Sequence, residues 1–96
     1  MNRSEVIDRL AARRAEIASF GVSELRLFGS HGRDEARDDS DIDLLVEFSG
    51  RPTFDGYMDL KFFLEDLFGR RVDLVIAGSL RPELRPAVER EAIRVT

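Results

Sequence analysis

Two aspartates one residue apart, Asp41 and Asp43, open a strongly apolar run that continues Leu44-Leu45-Val46-Glu47-Phe48. Alternate residues of a strand point to the same face. If the run is a strand, both carboxylates share a face, with α-carbons about 6–7 Å apart. Acids at that spacing can converge on one magnesium ion, or bridge two ions about 3.5–4 Å apart. Without a cation they would repel, and one would tend to hold a proton. Ile42 and Leu44 point the other way, into a core, and fix the strand. A third carboxylate would complete the site, and Asp73 is the candidate. It lies between Val72 and Leu74, where an unpaired charge is expensive. If its strand lies beside that of Asp43, it reaches the same centre, where it could also take a proton from an attacking hydroxyl. An acid paired with Arg70 or Arg71, or one facing water on an edge strand, would give the same local pattern.

Upstream, the segment Leu25-Arg26-Leu27-Phe28 runs into Gly29-Ser30. Glycine lets a backbone approach a phosphate closely, and the serine hydroxyl adds a donor. A helical turn starting there would aim free N–H groups at the anion. Arg33 could neutralise a polyphosphate or the charge that develops on transfer. Arg37 is a lesser candidate of the same kind. Ser40 is placed to cap or orient the start of the aspartate strand. His31, the only histidine, suits a nucleotide contact or a solvent-facing role equally. A Gly-Ser pair by itself also fills ordinary turns.

These residues need elements to hold them. A first helix is expected from an N-cap at Ser4, with Val6, Ile7, Leu10, Ala11, Ile17 and Ala18 at helical spacing, ending at Phe20-Gly21. Its arginines read as a solvated face. Strands are expected over Ser23–Phe28, Asp41–Phe48 and Arg71–Ala77. The middle strand reads as buried on both faces. A very apolar helix starts near Thr53 or Asp55, carries Tyr57, Met58, Leu60, Phe62, Phe63, Leu64, Leu67 and Phe68, and is capped by Gly69. It offers more apolar surface than one thin sheet covers, which leaves a part for a partner. A last helix starts at Pro82 or Pro86 and runs to about Glu91. Ala92 to Val95 would suit a closing edge strand. The order predicts a small α/β domain, a mixed sheet with helices packed on one face.

The 96 residues fit a single domain spanning 1–96, with 43% hydrophobic side chains available for its core. The net charge of −4 argues against broad nucleic-acid binding. With no cysteine, disulfides, thiolate metal sites and thiol catalysis are excluded. No stretch approaches the length of an apolar membrane span, and the first residues carry no apolar signal core. A soluble, cytoplasmic protein is expected.

Taken together, Phe28-Gly29-Ser30, Arg33 and Ser40-Asp41-Ile42-Asp43-Leu44-Leu45-Val46 resemble the signature of the DNA polymerase β-like nucleotidyltransferases, and specifically their minimal nucleotidyltransferase (MNT) branch. The resemblance covers essentially the whole chain. It implies a mixed-sheet α/β core, magnesium held by Asp41 and Asp43 with Asp73 as third acid, and a nucleoside triphosphate at Gly29-Ser30. Members of the branch are often encoded beside a HEPN-domain protein as a toxin–antitoxin pair. The resemblance therefore implies an antitoxin that forms a hetero-oligomer with a HEPN toxin and transfers AMP from ATP to a tyrosine of it. The family often reads Gly-Ser-x-Ala-Arg-Gly, and here Asp34 stands where the second glycine is usual; it could weaken nucleotide binding by adding negative charge near the phosphates, or point away from them. Two other readings compete. One is a nucleotide-binding antitoxin that neutralises its partner by contact alone. The other is a nucleotidyltransferase acting on a small molecule, against which the brevity of the chain counts.

Overall fold

A computed structural model describes residues 2–29 and 41–95. Two short helices, α1 (Arg3–Ala12) and α2 (Arg14–Ser19), precede strand β1 (Val22–Phe28). Strand β2 (Ile42–Phe48), the long helix α3 (Phe54–Phe68) and strand β3 (Val72–Ile76) follow. A 3-10 turn (Ala77–Ser79), helix α4 (Arg85–Glu91) and the two-residue strand β4 (Ile93–Arg94) complete the order. The last strand suggested for Ala92 to Val95 therefore exists, and Pro86 lies in the first turn of α4.

The first helix differs from expectation in two ways. Asn2, not Ser4, is the N-cap: its side chain accepts from the Glu5 N–H at 2.9 Å, and the Glu5 carboxylate reaches back to the Asn2 N–H. This reciprocal pair satisfies two helix-end donors at once, which a serine two residues later cannot do. The helix is also broken at Arg13, whose N–H turns to the Leu10 carbonyl. Val6 and Leu10 of α1 and Ile17 of α2 are all fully buried.

The four strands form one sheet in the order β3-β2-β1-β4. β1 is antiparallel to β2 and to β4, whereas β2 and β3 are parallel. Parallel neighbours need a crossover, and α3 supplies it. Thr53 caps the start of α3 through its side chain on the Gly56 N–H at 3.0 Å. Gly69 ends it in the left-handed conformation, φ 65°. Leu60, Leu64 and Phe68 of α3 pack with Val6, Leu10 and Ile17 on Leu25, Leu27, Ile42, Leu44, Val46, Val72 and Leu74. Phe20, just after α2, meets Phe63 of α3 with ring centroids 5.3 Å apart and planes at 46°, a tilted aromatic contact. One face of the sheet is thus sealed by α1 to α3.

The other face carries the alternate residues: Glu24, Arg26 and Phe28 of β1, Asp43, Leu45 and Glu47 of β2, Asp73 and Val75 of β3. On this face of β2 only Leu45 is buried, with Asp43 half-buried and Glu47 exposed, so the expected burial on both faces holds at Leu45 alone. Arg26 and Arg94 lie directly opposite each other on β1 and β4. Their repulsion is relieved by Glu24, whose two carboxylate oxygens meet Arg26 at 2.7 Å and Arg94 at 3.2 Å. Among the described residues no helix is long and apolar enough to cross a membrane.

Candidate active site

The site lies at one end of the sheet, where β1 finishes and β2 and β3 begin. Ile42 and Leu44 are fully buried, as expected, and hold the start of β2 in the core. Asp43, between them, faces the opposite side and is half-buried. Asp41 stands one residue before the strand and is exposed.

The register supplies what local spacing left open. Asp43 is paired with Asp73 across the parallel ladder. Strands in a sheet lie about 4.7–4.9 Å apart, so the two carboxylates leave the same face as immediate neighbours. Asp73 is exposed on an edge strand, so the desolvation cost invoked from its apolar neighbours is not what singles it out. Val72 and Leu74 are buried because they face the helices, while Asp73 faces the other way. Its claim to the site rests on its alignment with Asp43.

Gly29 closes the arrangement from the other strand. Phe28 is the register partner of Asp43, and Gly29 follows it with φ 69°, a left-handed conformation that side chains rarely adopt. A Cβ built on Gly29 would fall 2.1 Å from Asp43 Oδ2 and 2.9 Å from its Cγ. Nothing but glycine fits there without moving the carboxylate. Sequence reasoning assigned Gly29 to phosphate approach. The contact with Asp43 is a second demand on the same position, and no local pattern announces it. Ser30, Arg33 and Ser40, and with them His31, Asp34 and Arg37, lie outside the described residues.

The donor set is hard oxygen throughout, which suits magnesium. Among the described residues no group of three or more histidine or acidic side chains is gathered closely enough to hold a metal ion. Magnesium is commonly held by one or two carboxylates and completed by substrate phosphates and water, without an all-protein cage. A neighbouring pair, Asp43 and Asp73, with Asp41 at the strand entrance, fits that mode. The chemistry available is the positioning of a metal-bound polyphosphate beside an exposed acid.

Comparison with known proteins agrees with this geometry. The family model described as "Nucleotidyltransferase domain" matches residues 7–95. Protein adenylyltransferase MntA of Thermococcus cleftensis is 41% identical over 92 residues, spanning 95% of this chain and 93% of that protein. A solved structure described as a minimal nucleotidyltransferase superposes with a TM-score of 0.85 at 44% identity, covering 97% of this chain and 95% of the other. A complex of a tri-AMPylated HEPN toxin of Shewanella oneidensis with its MNT antitoxin shares the fold, with a TM-score of 0.68 at 18% identity over 94% of this chain and 71% of the other. With the aligned acids, the glycine packed on Asp43 and a family match over nearly all its length, the chain belongs to the nucleotidyltransferase domain family.

Proposed function

We propose that this protein uses ATP and magnesium to transfer AMP to a hydroxyl, a tyrosine of a HEPN-domain toxin, and that it acts as the antitoxin of that partner. The observation that carries the reading is the side-by-side placement of Asp43 and Asp73 with Gly29 packed against Asp43. The 41% identity to a protein adenylyltransferase supports the reaction type. The fold shared with an MNT antitoxin bound to an AMPylated HEPN toxin supports the partner.

In this reading Asp41, Asp43 and Asp73 hold magnesium, and Gly29, Ser30, Arg33 and Ser40 hold the nucleotide. Bound magnesium would neutralise phosphate charge and favour in-line displacement. The acceptor hydroxyl oxygen bonds to the α-phosphorus as the bond to the bridging oxygen breaks and pyrophosphate leaves. The hydroxyl proton passes to Asp73. The test is incubation with ATP, magnesium and the co-encoded partner, read by intact mass. Added AMP on the partner with wild-type protein, and none with Asp43→Asn, is the expected result. An unmodified partner under both conditions refutes the reaction.

Phe54 and Phe62 of α3 are 77% and 58% exposed, which favours a second reading in which contact alone neutralises the partner. Under that reading Asp43→Asn would neutralise the partner as well as wild type.

A further inference from the structure

Asp73 is exposed on an edge strand, yet its backbone is held from both sides. The Ile42 N–H donates to the Arg71 carbonyl at 3.1 Å, so Arg71 turns its peptide groups toward β2. Successive residues of a strand alternate in direction, so Asp73 and Val75 also turn toward β2, while Val72 and Leu74 turn outward. Two of those four outward groups, the Val72 N–H and the Leu74 carbonyl, are taken by α3. Glu65 Oε2 accepts from the Val72 N–H at 3.1 Å, and the Tyr57 hydroxyl donates to the Leu74 carbonyl. Tyr57, early in the helix, meets the later strand residue, and Glu65 meets the earlier one. The helix therefore runs antiparallel to the strand and pins it at two points, with Asp73 between them.

Edge strands elsewhere leave such groups to water. Here the two bonds flank the one residue of β3 aligned with Asp43. We infer that Tyr57 and Glu65 are positioning residues, which keep Asp73 in register with Asp43 without touching the reacting atoms themselves. The inference rests on the reading of Asp73 as a site carboxylate.

Tyr57→Phe removes only the hydroxyl, and Glu65→Ala removes the acceptor. Each is expected to lower kcat for transfer about three- to tenfold, the scale of one lost hydrogen bond, with KM for ATP unchanged. Each is also expected to weaken Mn2+ binding, titrated directly on the protein with a non-hydrolysable ATP analogue, by a similar factor. Glu65→Gln keeps an acceptor oxygen and should restore both values. Ser23→Ala is the control. It removes a hydroxyl bond to the Glu47 carbonyl, 3.1 Å, toward the far end of β2, and should leave both values unchanged. Wild-type kcat and Mn2+ affinity in both Tyr57→Phe and Glu65→Ala, with only a lower Tm, would reduce the pair to a stability brace and overturn the inference. If Asp73→Asn itself retained full transfer and Mn2+ binding, the underlying site reading would fail instead, and the inference with it.

Discussion

Gly29→Ala isolates the contact on which the site geometry depends. Two costs arise. The first is backbone strain: an alanine at φ 69° pays roughly 1–2 kcal/mol for the left-handed conformation. The second is steric. The new Cβ would lie 2.1 Å from Asp43 Oδ2, whereas ordinary contact begins at 3.4 Å, so carboxylate and backbone must separate by 3.4 − 2.1 = 1.3 Å. Turning Asp43 off its rotamer to achieve this costs about 0.5–1.5 kcal/mol more. A displacement of about 1 Å in a catalytic group can cost on the order of 100-fold in rate. Gly69→Ala supplies the comparison: its φ is 65°, but a Cβ there meets nothing within 4 Å. It should lose a similar 1–2 kcal/mol, lowering Tm by roughly 4–16 °C, and keep full activity. Gly29→Ala should show at least that loss of Tm and, in addition, transfer reduced about 100-fold with weakened Mn2+ binding. Thermal unfolding and single-turnover AMP transfer on the two variants separate the terms. A folded Gly29→Ala protein with wild-type transfer would refute the role given to this contact.

Asp43→Asn keeps the shape of the side chain and removes its charge, so transfer should fall by at least about 10²–10³-fold, measured by intact mass of the acceptor. Leu60→Ala opens a void at a fully buried position of α3 and should cost about 2–5 kcal/mol in urea unfolding, with the m-value unchanged. Thr53→Ala removes the cap on the Gly56 N–H and should cost about 1 kcal/mol by the same measurement, leaving transfer intact.

Much of this is legible in the amino-acid sequence. The apolar run after Asp41 marks β2, and Thr53 and Gly69 bracket α3 by ordinary cap chemistry. Ser4 was the wrong cap, although Asn2 followed three residues later by Glu5 is a capping-box pattern in plain view. The break at Arg13 had no such signal, since residues 11–15 contain neither proline nor glycine. Strand order and register were beyond local pattern. A crossover through α3 implies parallel strands, but only the fold states that β3 is the neighbour of β2 and that Asp73 is level with Asp43. The contact between Gly29 and Asp43 likewise joins residues on two strands, and a sequence has no local mark for it.

The division of the sheet into two faces explains why an acid pair can exist in so small a domain. Helices α1 to α3 bury one face, and the fully buried Ile42, Leu44 and Val72 make the backbone beneath the acids rigid. The charges then stand on the opposite face, where Asp41 and Asp73 remain exposed and escape the desolvation that a core position would impose. Rigidity and hydration are thus supplied by opposite sides of the same strands. Under the proposed function, exposure also bears on the choice of acceptor. An acid reachable from solvent can meet a hydroxyl presented on another protein's surface. A small molecule would have to gain its orientation from contacts of its own. Among the proposed acceptors, the exposed position of Asp73 therefore favours a protein side chain, carried into place by the partner's own fold.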